Sequence, residues 1–129
     1  MAPIFRRHGA RFAYLFGSRA CGRGRRDSDY DFAVSLTPVR GEDDVTDALW
    51  LDLVRVLRTD RIDLVLLEGS DLIVRDVVER TGRLIYEHDR DARIRFECRT
   101  RKEAWDETPH WAVHDAALVR RLREGTFGR

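Results

Sequence analysis

The sequence predicts a small α/β fold (an α+β arrangement), in which a mixed sheet is flanked by helices and followed by a helical C-terminal tail. Three observations predict it: short apolar segments of strand length, longer segments with apolar residues at helical spacing, and glycine or proline at the boundaries. A length of 129 residues fits one compact domain. We therefore expect a single domain over residues 1–129, with a core of about residues 1–88 and a tail of about residues 89–129.

The predicted elements alternate between helix and strand. Gly17 ends the first strand with a turn, Ser70 caps a helix, and Gly82 stops that helix. The predicted elements, in chain order, are a helical turn at 4–8, a strand at 11–16, a short helical turn at 18–21, a strand at 29–36, a helix at 45–57, a strand at 62–67, a helix at 71–81, a strand at 84–86 and tail helices from 91 onward, with a break before residue 109.

The tail carries apolar residues at helical spacing. Ile94, Cys98 and Trp105 form one stripe, and a second stripe runs through Trp111. Tryptophans usually pack in a core, although the polar neighbours of Trp105 and Trp111 also suit residues that anchor a partner protein.

Composition excludes several classes of protein. With 43% hydrophobic and 36% charged residues, the chain can bury a core, which argues against disorder. A formal net charge of +1 predicts no strong attraction to nucleic acid or to a membrane surface. No apolar run approaches the roughly 18 residues that span a bilayer. Two cysteines and the lack of a secretion leader favour the cytoplasm.

Asp29 and Asp31 are the first candidate site residues. Because they alternate along a predicted strand, both side chains project from one face, where their repulsion is costly without a cation. Carboxylate oxygens suit Mg²⁺ (or Mn²⁺), and Mg²⁺ takes further ligands from substrate phosphates. This pattern predicts a metal site completed by a nucleoside triphosphate. Asp27 continues the alternation, so Asp27 with Asp29 is the alternative pair.

The turn at Gly17 and Ser18 is a candidate phosphate site. Gly17 allows close backbone approach, and Ser18 offers a hydroxyl and an N–H at the start of a helical turn. Arg19 is our first choice for neutralising phosphate charge. The arginines of the following loop are alternatives, and spacing does not choose among them: Arg23, Arg25 and Arg26.

Asp63 is the one charged residue in an otherwise apolar strand, which the pattern predicts to be buried between layers. A lone buried carboxylate is costly, so we expect Asp63 to join the metal site and to accept the proton of an attacking hydroxyl. A buried ion pair with an arginine is the alternative.

The spacing Gly17-Ser18, ten residues, then Asp29-Tyr30-Asp31 resembles the GSx10DxD signature of the DNA polymerase β-like nucleotidyltransferases. Asp63 stands where the third acid of these enzymes usually falls. The short chain and its helical tail resemble the minimal nucleotidyltransferases, in particular the MntA-type antitoxins.

This resemblance implies a polymerase β-like fold and an enzyme that transfers AMP from ATP to a tyrosine of a HEPN-domain ribonuclease toxin (HepT-like), in a hetero-oligomer with that toxin. It assigns metal binding and catalysis to Asp29, Asp31 and Asp63, and nucleotide binding to Gly17 and Ser18. Two alternatives stay open: an adenylyltransferase acting on a small molecule of the aminoglycoside type, and a non-catalytic antitoxin that acts by occlusion.

Overall fold

The computed structural model describes residues 1–17, 19, 29–37 and 42–106. Helices and strands follow one another in the order that the apolar spacing predicts. They are α1 (Ala2–Arg7), β1 (Ala10–Phe16), β2 (Tyr30–Leu36), α2 (Glu42–Leu57), β3 (Ile62–Leu66), a 3-10 turn (Leu67–Gly69), α3 (Leu72–Thr81), β4 (Arg83–Glu87) and a helix, here α4, over residues 90–106. The predicted helical turn at 18–21, apart from residue 19, and the second tail stripe through Trp111 lie outside the described residues.

The four strands form one mixed sheet in the order β3-β2-β1-β4. β1 pairs antiparallel with both β2 and β4, whereas β2 and β3 run parallel. The connection from β2 to β3 therefore has to cross over, and α2 provides that crossover. This arrangement confirms the predicted mixed sheet flanked by helices.

Each face of the sheet is covered by a pair of helices. On one face, Phe32 and Val34 of β2 pack with α1 and α2 through Phe5, Leu49 and Leu53. On the other, β1 and β2 pack against α3 and α4. The buried residues of this second cluster are Phe12, Tyr14, Phe16, Ala33, Leu67, Val77, Val78 and Ala92, with Phe96 packed beside them. None of the described helices is both long and apolar enough to cross a membrane.

β3 is covered on both faces, as expected, but the expectation that Asp63 is buried within it is wrong. β3 is an edge strand, and Asp63 on it is exposed. An apolar run of five or six residues has the same appearance in a central strand and in an edge strand that is covered by helices, so the sequence does not separate the two cases. The desolvation argument for Asp63 therefore does not apply, and neither does the alternative of a buried ion pair.

Two details near α3 and α4 also differ from expectation. The N-cap of α3 is Asp71, and the Ser70 hydroxyl instead donates to the Leu66 carbonyl oxygen at 2.7 Å, which closes the 3-10 turn. On α4, Ile94 is 42% exposed and Trp105 is 80% exposed, so the stripe they define faces away from the core. The helix packs instead through Ala92 and Phe96.

Candidate active site

The turn after β1 lies against a carboxylate of β2. Gly17 has a φ of +78°, a left-handed conformation that side chains other than glycine rarely adopt. A Cβ built at Gly17 would collide with the Asp31 carboxylate oxygen. Glycine is therefore required here both by the backbone conformation and by the closeness of Asp31.

Asp31 is buried and is the second residue of β2. It lies directly opposite Phe16 of β1 and is only 6% exposed. The same residue is in register with Asp63 on the parallel neighbour β3. Residues in register on adjacent strands project from the same face of a sheet, and the strands lie about 5 Å apart. The side chains of Asp31 and Asp63 are therefore neighbours.

The beginning of β3 is held in place by two hydrogen bonds. The Tyr30 amide donates to the Arg61 carbonyl oxygen at 2.9 Å, which aligns the first residues of β2 and β3. The Trp50 indole Nε1 donates to the Ile62 carbonyl oxygen at 2.9 Å and ties α2 to the same strand. These contacts fix the position of Asp63 although it lies on an edge strand.

Asp29 precedes β2 and is half-buried. It stands two residues before Asp31, so it belongs to the same end of the sheet as the Gly17 turn. The fold therefore makes Asp31 and Asp63 direct neighbours, and Asp29 lies two residues before Asp31 at the same end of the sheet.

Arg19 lies beside Tyr30, the first residue of β2 and the residue between Asp29 and Asp31. Its guanidinium carbon is 3.9 Å from the centroid of the Tyr30 ring, the geometry of a cation–π contact. Tyr30 packs with the α1 and α2 face, opposite to the face of Asp31. An aromatic residue between two acids carries no sequence signal that it would contact an arginine, so this contact was not predicted.

Ser18, Asp27 and the loop arginines 23, 25 and 26 lie outside the described residues. Among the residues that the structure does describe, no group of three His, Cys, Asp or Glu side chains is close enough to hold a metal ion. The donors present are instead a carboxylate pair, Asp31 and Asp63, beside a glycine turn. That set fits Mg²⁺, which proteins commonly bind through one or two carboxylates, the remaining ligands being water and substrate phosphate.

The sequence profile of the family described as polymerase beta, nucleotidyltransferase, matches residues 1–91. The chain belongs to the polymerase β nucleotidyltransferase family. The match covers the whole sheet together with the Gly17 turn and all three acids. No curated protein matches this nucleotidyltransferase at a significant level.

Solved structures share the fold of this nucleotidyltransferase. A chain from a crystal structure of a toxin–antitoxin with AMP-PNP superposes with a TM-score of 0.70 at 24% identity, over 90% of this chain and 94% of that one. A chain from a structure of a tri-AMPylated Shewanella oneidensis HEPN toxin in complex with MNT antitoxin superposes with a TM-score of 0.63 at 21% identity, over 90% of this chain and 91% of that one. A chain from a crystal structure of the toxin–antitoxin MntA–HepT superposes with a TM-score of 0.62 at 21% identity, over 90% of this chain and 92% of that one.

Proposed function

We propose that this chain is a magnesium-dependent adenylyltransferase that transfers AMP from ATP to a tyrosine of a HEPN-domain toxin, and that it is the antitoxin of that toxin. The single observation that carries the proposal is the contact of the Gly17 turn with Asp31, which is itself in register with Asp63. Membership in the nucleotidyltransferase family supports the reaction type. The similar chains in complexes of MNT antitoxin with AMPylated HEPN toxin support the acceptor.

In this proposal Gly17 and Ser18 hold the triphosphate. The left-handed turn at Gly17 lets the backbone lie against the Asp31 carboxylate, so a triphosphate held at this turn would lie beside a metal ligand. Asp31 and Asp63 would hold Mg²⁺ (or Mn²⁺), with Asp29, two residues before Asp31, as the further ligand that the resemblance implies; the ion would supply Lewis-acid stabilisation of charge on the phosphate oxygens. Arg19 is kept as a candidate nucleotide contact, although in the structure its guanidinium group lies over Tyr30.

Asp63 is suited to the role of general base. It is exposed, so an incoming hydroxyl can reach it, and it lies beside the buried Asp31. The tyrosine oxygen of the acceptor attacks the α-phosphorus of ATP and its proton passes to Asp63. The bond from the α-phosphorus to the bridging oxygen breaks, and pyrophosphate leaves.

We also propose that residues 1–129 act as a single domain in the cytoplasm, in a hetero-oligomer with the toxin. Neither nucleic acid nor membrane is a partner in this proposal. The net charge of +1 supports this choice, since it provides no general attraction to polyanions.

The test is incubation of the chain with labelled ATP, Mg²⁺ and a HEPN-domain toxin, followed by detection of label on the toxin. We expect label with the native chain and a loss of more than about 100-fold in rate with Asp29→Ala plus Asp31→Ala, because removal of metal ligands removes charge stabilisation. Asp63→Asn should reduce the rate to a similar extent. Asp60→Asn, an exposed acid just before β3, is the matched control and should leave the rate unchanged.

The outcomes separate the candidate functions. If the native chain silences the toxin without labelling it, and the Asp29→Ala plus Asp31→Ala variant silences it equally well, the chain acts by occlusion and not by catalysis. Label on a small amine or alcohol such as an aminoglycoside, with none on the toxin, would show a small-molecule adenylyltransferase. Equal rates for the native chain and the double variant would remove Asp29 and Asp31 from the mechanism.

A further inference from the structure

A cleft of about 700 Å³ opens on the α3 and α4 side of the sheet, at the end away from the carboxylates. Its walls come from β1, β2, the 3-10 turn, α3 and α4. Ser35, which lines it, stands four residues beyond Asp31 on β2, about 13 Å along the strand. The buried side chains of Tyr14, Phe16 and Ala33 lie between, so the cleft is separate from the proposed active site.

Four arginines surround this cleft: Arg11, Arg75, Arg95 and Arg99. Within the described part of the chain, two carboxylates form ion pairs with these arginines. Glu68 lies 3.6 Å from Arg11, and Glu103 is shared, at 3.0 Å from each, by Arg75 and Arg99. Two positive charges therefore remain in excess at this place, in a chain whose total is +1.

Three of the arginines are already held in position. The Arg11 Nε donates to the Ser35 hydroxyl at 3.1 Å, and the Arg75 Nε donates to the Ser70 carbonyl oxygen at 3.3 Å. The Arg99 Nε donates to Glu103 at 3.0 Å. Arg95 has no hydrogen-bond or ion-pair partner within the described part of the chain and is exposed. Guanidinium groups that are fixed before a ligand arrives lose less entropy on binding it.

The floor of the cleft carries a polar group without a partner. Thr100 lines the cleft and is fully buried, and within residues 1–17, 19, 29–37 and 42–106 its hydroxyl has no hydrogen-bond partner. Buried hydroxyl groups nearly always have one, and leaving one unpaired is costly. Beside it, Phe12, Leu67, Ala92 and Phe96 make the floor apolar.

We propose that this cleft is a second binding site, for a nucleoside phosphate, whose phosphates lie among the four arginines and whose flat base lies against Phe96. Fixed arginines match phosphate oxygens with paired hydrogen bonds. The cleft volume lies in the range of small-molecule sites, and its apolar floor with a few polar groups is typical of them. This proposal goes beyond the adenylyl transfer above and stands whether or not that transfer is confirmed.

The experiment titrates ADP, AMP and pyrophosphate into the full chain by calorimetry, with EDTA present and in an Asp29→Asn plus Asp31→Asn background, so that the proposed active site contributes little. We expect ADP to bind, and to bind more tightly than pyrophosphate because of the base on Phe96. Arg95→Gln should weaken ADP binding about tenfold, the usual effect of one charge-assisted contact. Since Arg95 is exposed and has no described partner, this change leaves the fold intact.

Arg90→Gln is the matched control, since Arg90 is an exposed arginine on the same helix that does not line the cleft. Its affinity for ADP should equal that of the parent within twofold. Thr100→Val, which keeps the side-chain shape and removes a hydroxyl that is fully buried beneath the cleft, should leave the affinity for ADP unchanged and the unfolding midpoint unchanged or higher. The proposal is overturned if ADP does not bind, if Arg95→Gln and Arg90→Gln behave alike, or if pyrophosphate binds as tightly as ADP.

Discussion

Two separate constraints require glycine at position 17: the backbone conformation and the contact with Asp31. Gly17→Ala places a Cβ in a left-handed backbone and against the Asp31 carboxylate. The conformational cost is about 1–2 kcal/mol, and overpacking adds about 1–3 kcal/mol. We expect the free energy of unfolding, measured with urea, to fall by the sum of these effects, and nucleotidyl transfer to be lost.

Gly9 provides a control for that prediction. Its φ is +75°, nearly the same as at Gly17, but a Cβ built there meets nothing within 4 Å. Gly9→Ala should therefore show only the conformational cost, with transfer activity retained. If the two variants lose equal stability and both keep activity, the contact of the turn with Asp31 is not important for the site.

Tyr14 is a buried phenol whose ionisation links stability to pH. Its hydroxyl donates to Glu97 at 2.7 Å, and Glu97 also accepts from Arg93 at 2.8 Å. Burial, and then the hydrogen bond to the Glu97 carboxylate, raise the pKa of Tyr14 well above its ordinary value. The folded state therefore favours the protonated phenol, whose stabilisation is complete below the unfolded pKa of about 10 and is lost as the pH rises above it.

Tyr14→Phe tests this link. At pH 8 the variant should be less stable by about 1 kcal/mol, the usual net value of one hydrogen bond. Between pH 9 and 11 the free energy of unfolding of the parent should decrease more steeply, by up to about 1.4 kcal/mol per pH unit. Urea unfolding at each pH measures both slopes, and parallel slopes would contradict the role of Tyr14.

α4 shows what helical periodicity predicts and what it does not. The sequence correctly predicts a helix from about residue 91, and the structure has one over residues 90–106. The stripe of Ile94, Cys98 and Trp105 is exposed, while Ala92 and Phe96 pack on the sheet. Two faces of this helix carry apolar residues at the correct spacing, and only the position of α3 and β1 decides which is buried.

The buried face of α4 can be tested by paired truncations. Phe96 packs with its ring centroid 5.5 Å from that of Phe12 and 6.1 Å from that of Tyr14. Phe96→Ala should lower the free energy of unfolding by about 3 kcal/mol, whereas Ile94→Ala on the exposed stripe should change it by less than about 0.5 kcal/mol. Equal losses in urea unfolding would mean that α4 packs through the predicted stripe.

The strands were predicted more accurately than their environment. β1 and β2 agree with the predicted segments within one residue, because alternation and the glycine at position 17 define them locally. β3 was also located, but its place at the edge was not, since strand order depends on contacts between distant segments. The cap of α3 was shifted from Ser70 to Asp71 by the 3-10 turn, which the sequence does not signal.

For the molecule as a whole, the candidate site could be predicted because its parts are close in the chain. Gly17 follows β1 and Asp31 lies on its neighbour β2, while Asp63 was singled out as the one charged residue of an apolar strand and then by the resemblance. The arginine cleft could not be predicted in this way. Its residues come from five separate elements, so no spacing along the sequence connects Arg11 with Arg75 or Arg95.

Trp105 relates the exposed stripe of α4 to assembly. Tryptophan is usually well buried, and an exposed one at 80% is typical of residues that anchor a partner. If the chain binds a HEPN-domain toxin as proposed, Trp105→Ala should weaken that binding by about 2 kcal/mol, roughly 30-fold. The free energy of unfolding of the isolated chain should change by less than about 0.5 kcal/mol.

Leu51→Ala is the control for Trp105→Ala, since Leu51 is 42% exposed on α2, on the other face of the sheet. Calorimetric titration with the toxin should give the parent affinity for Leu51→Ala. Unfolding of Trp105→Ala would mean that the tryptophan packs in the core after all, and equal affinities for the two variants would place the toxin elsewhere. Because α4 also forms a wall of the arginine cleft, a toxin that docks on Trp105 would lie next to that cleft. Bound ADP should therefore alter the affinity for the toxin in the parent, and about tenfold more ADP should be needed for the same change in Arg95→Gln.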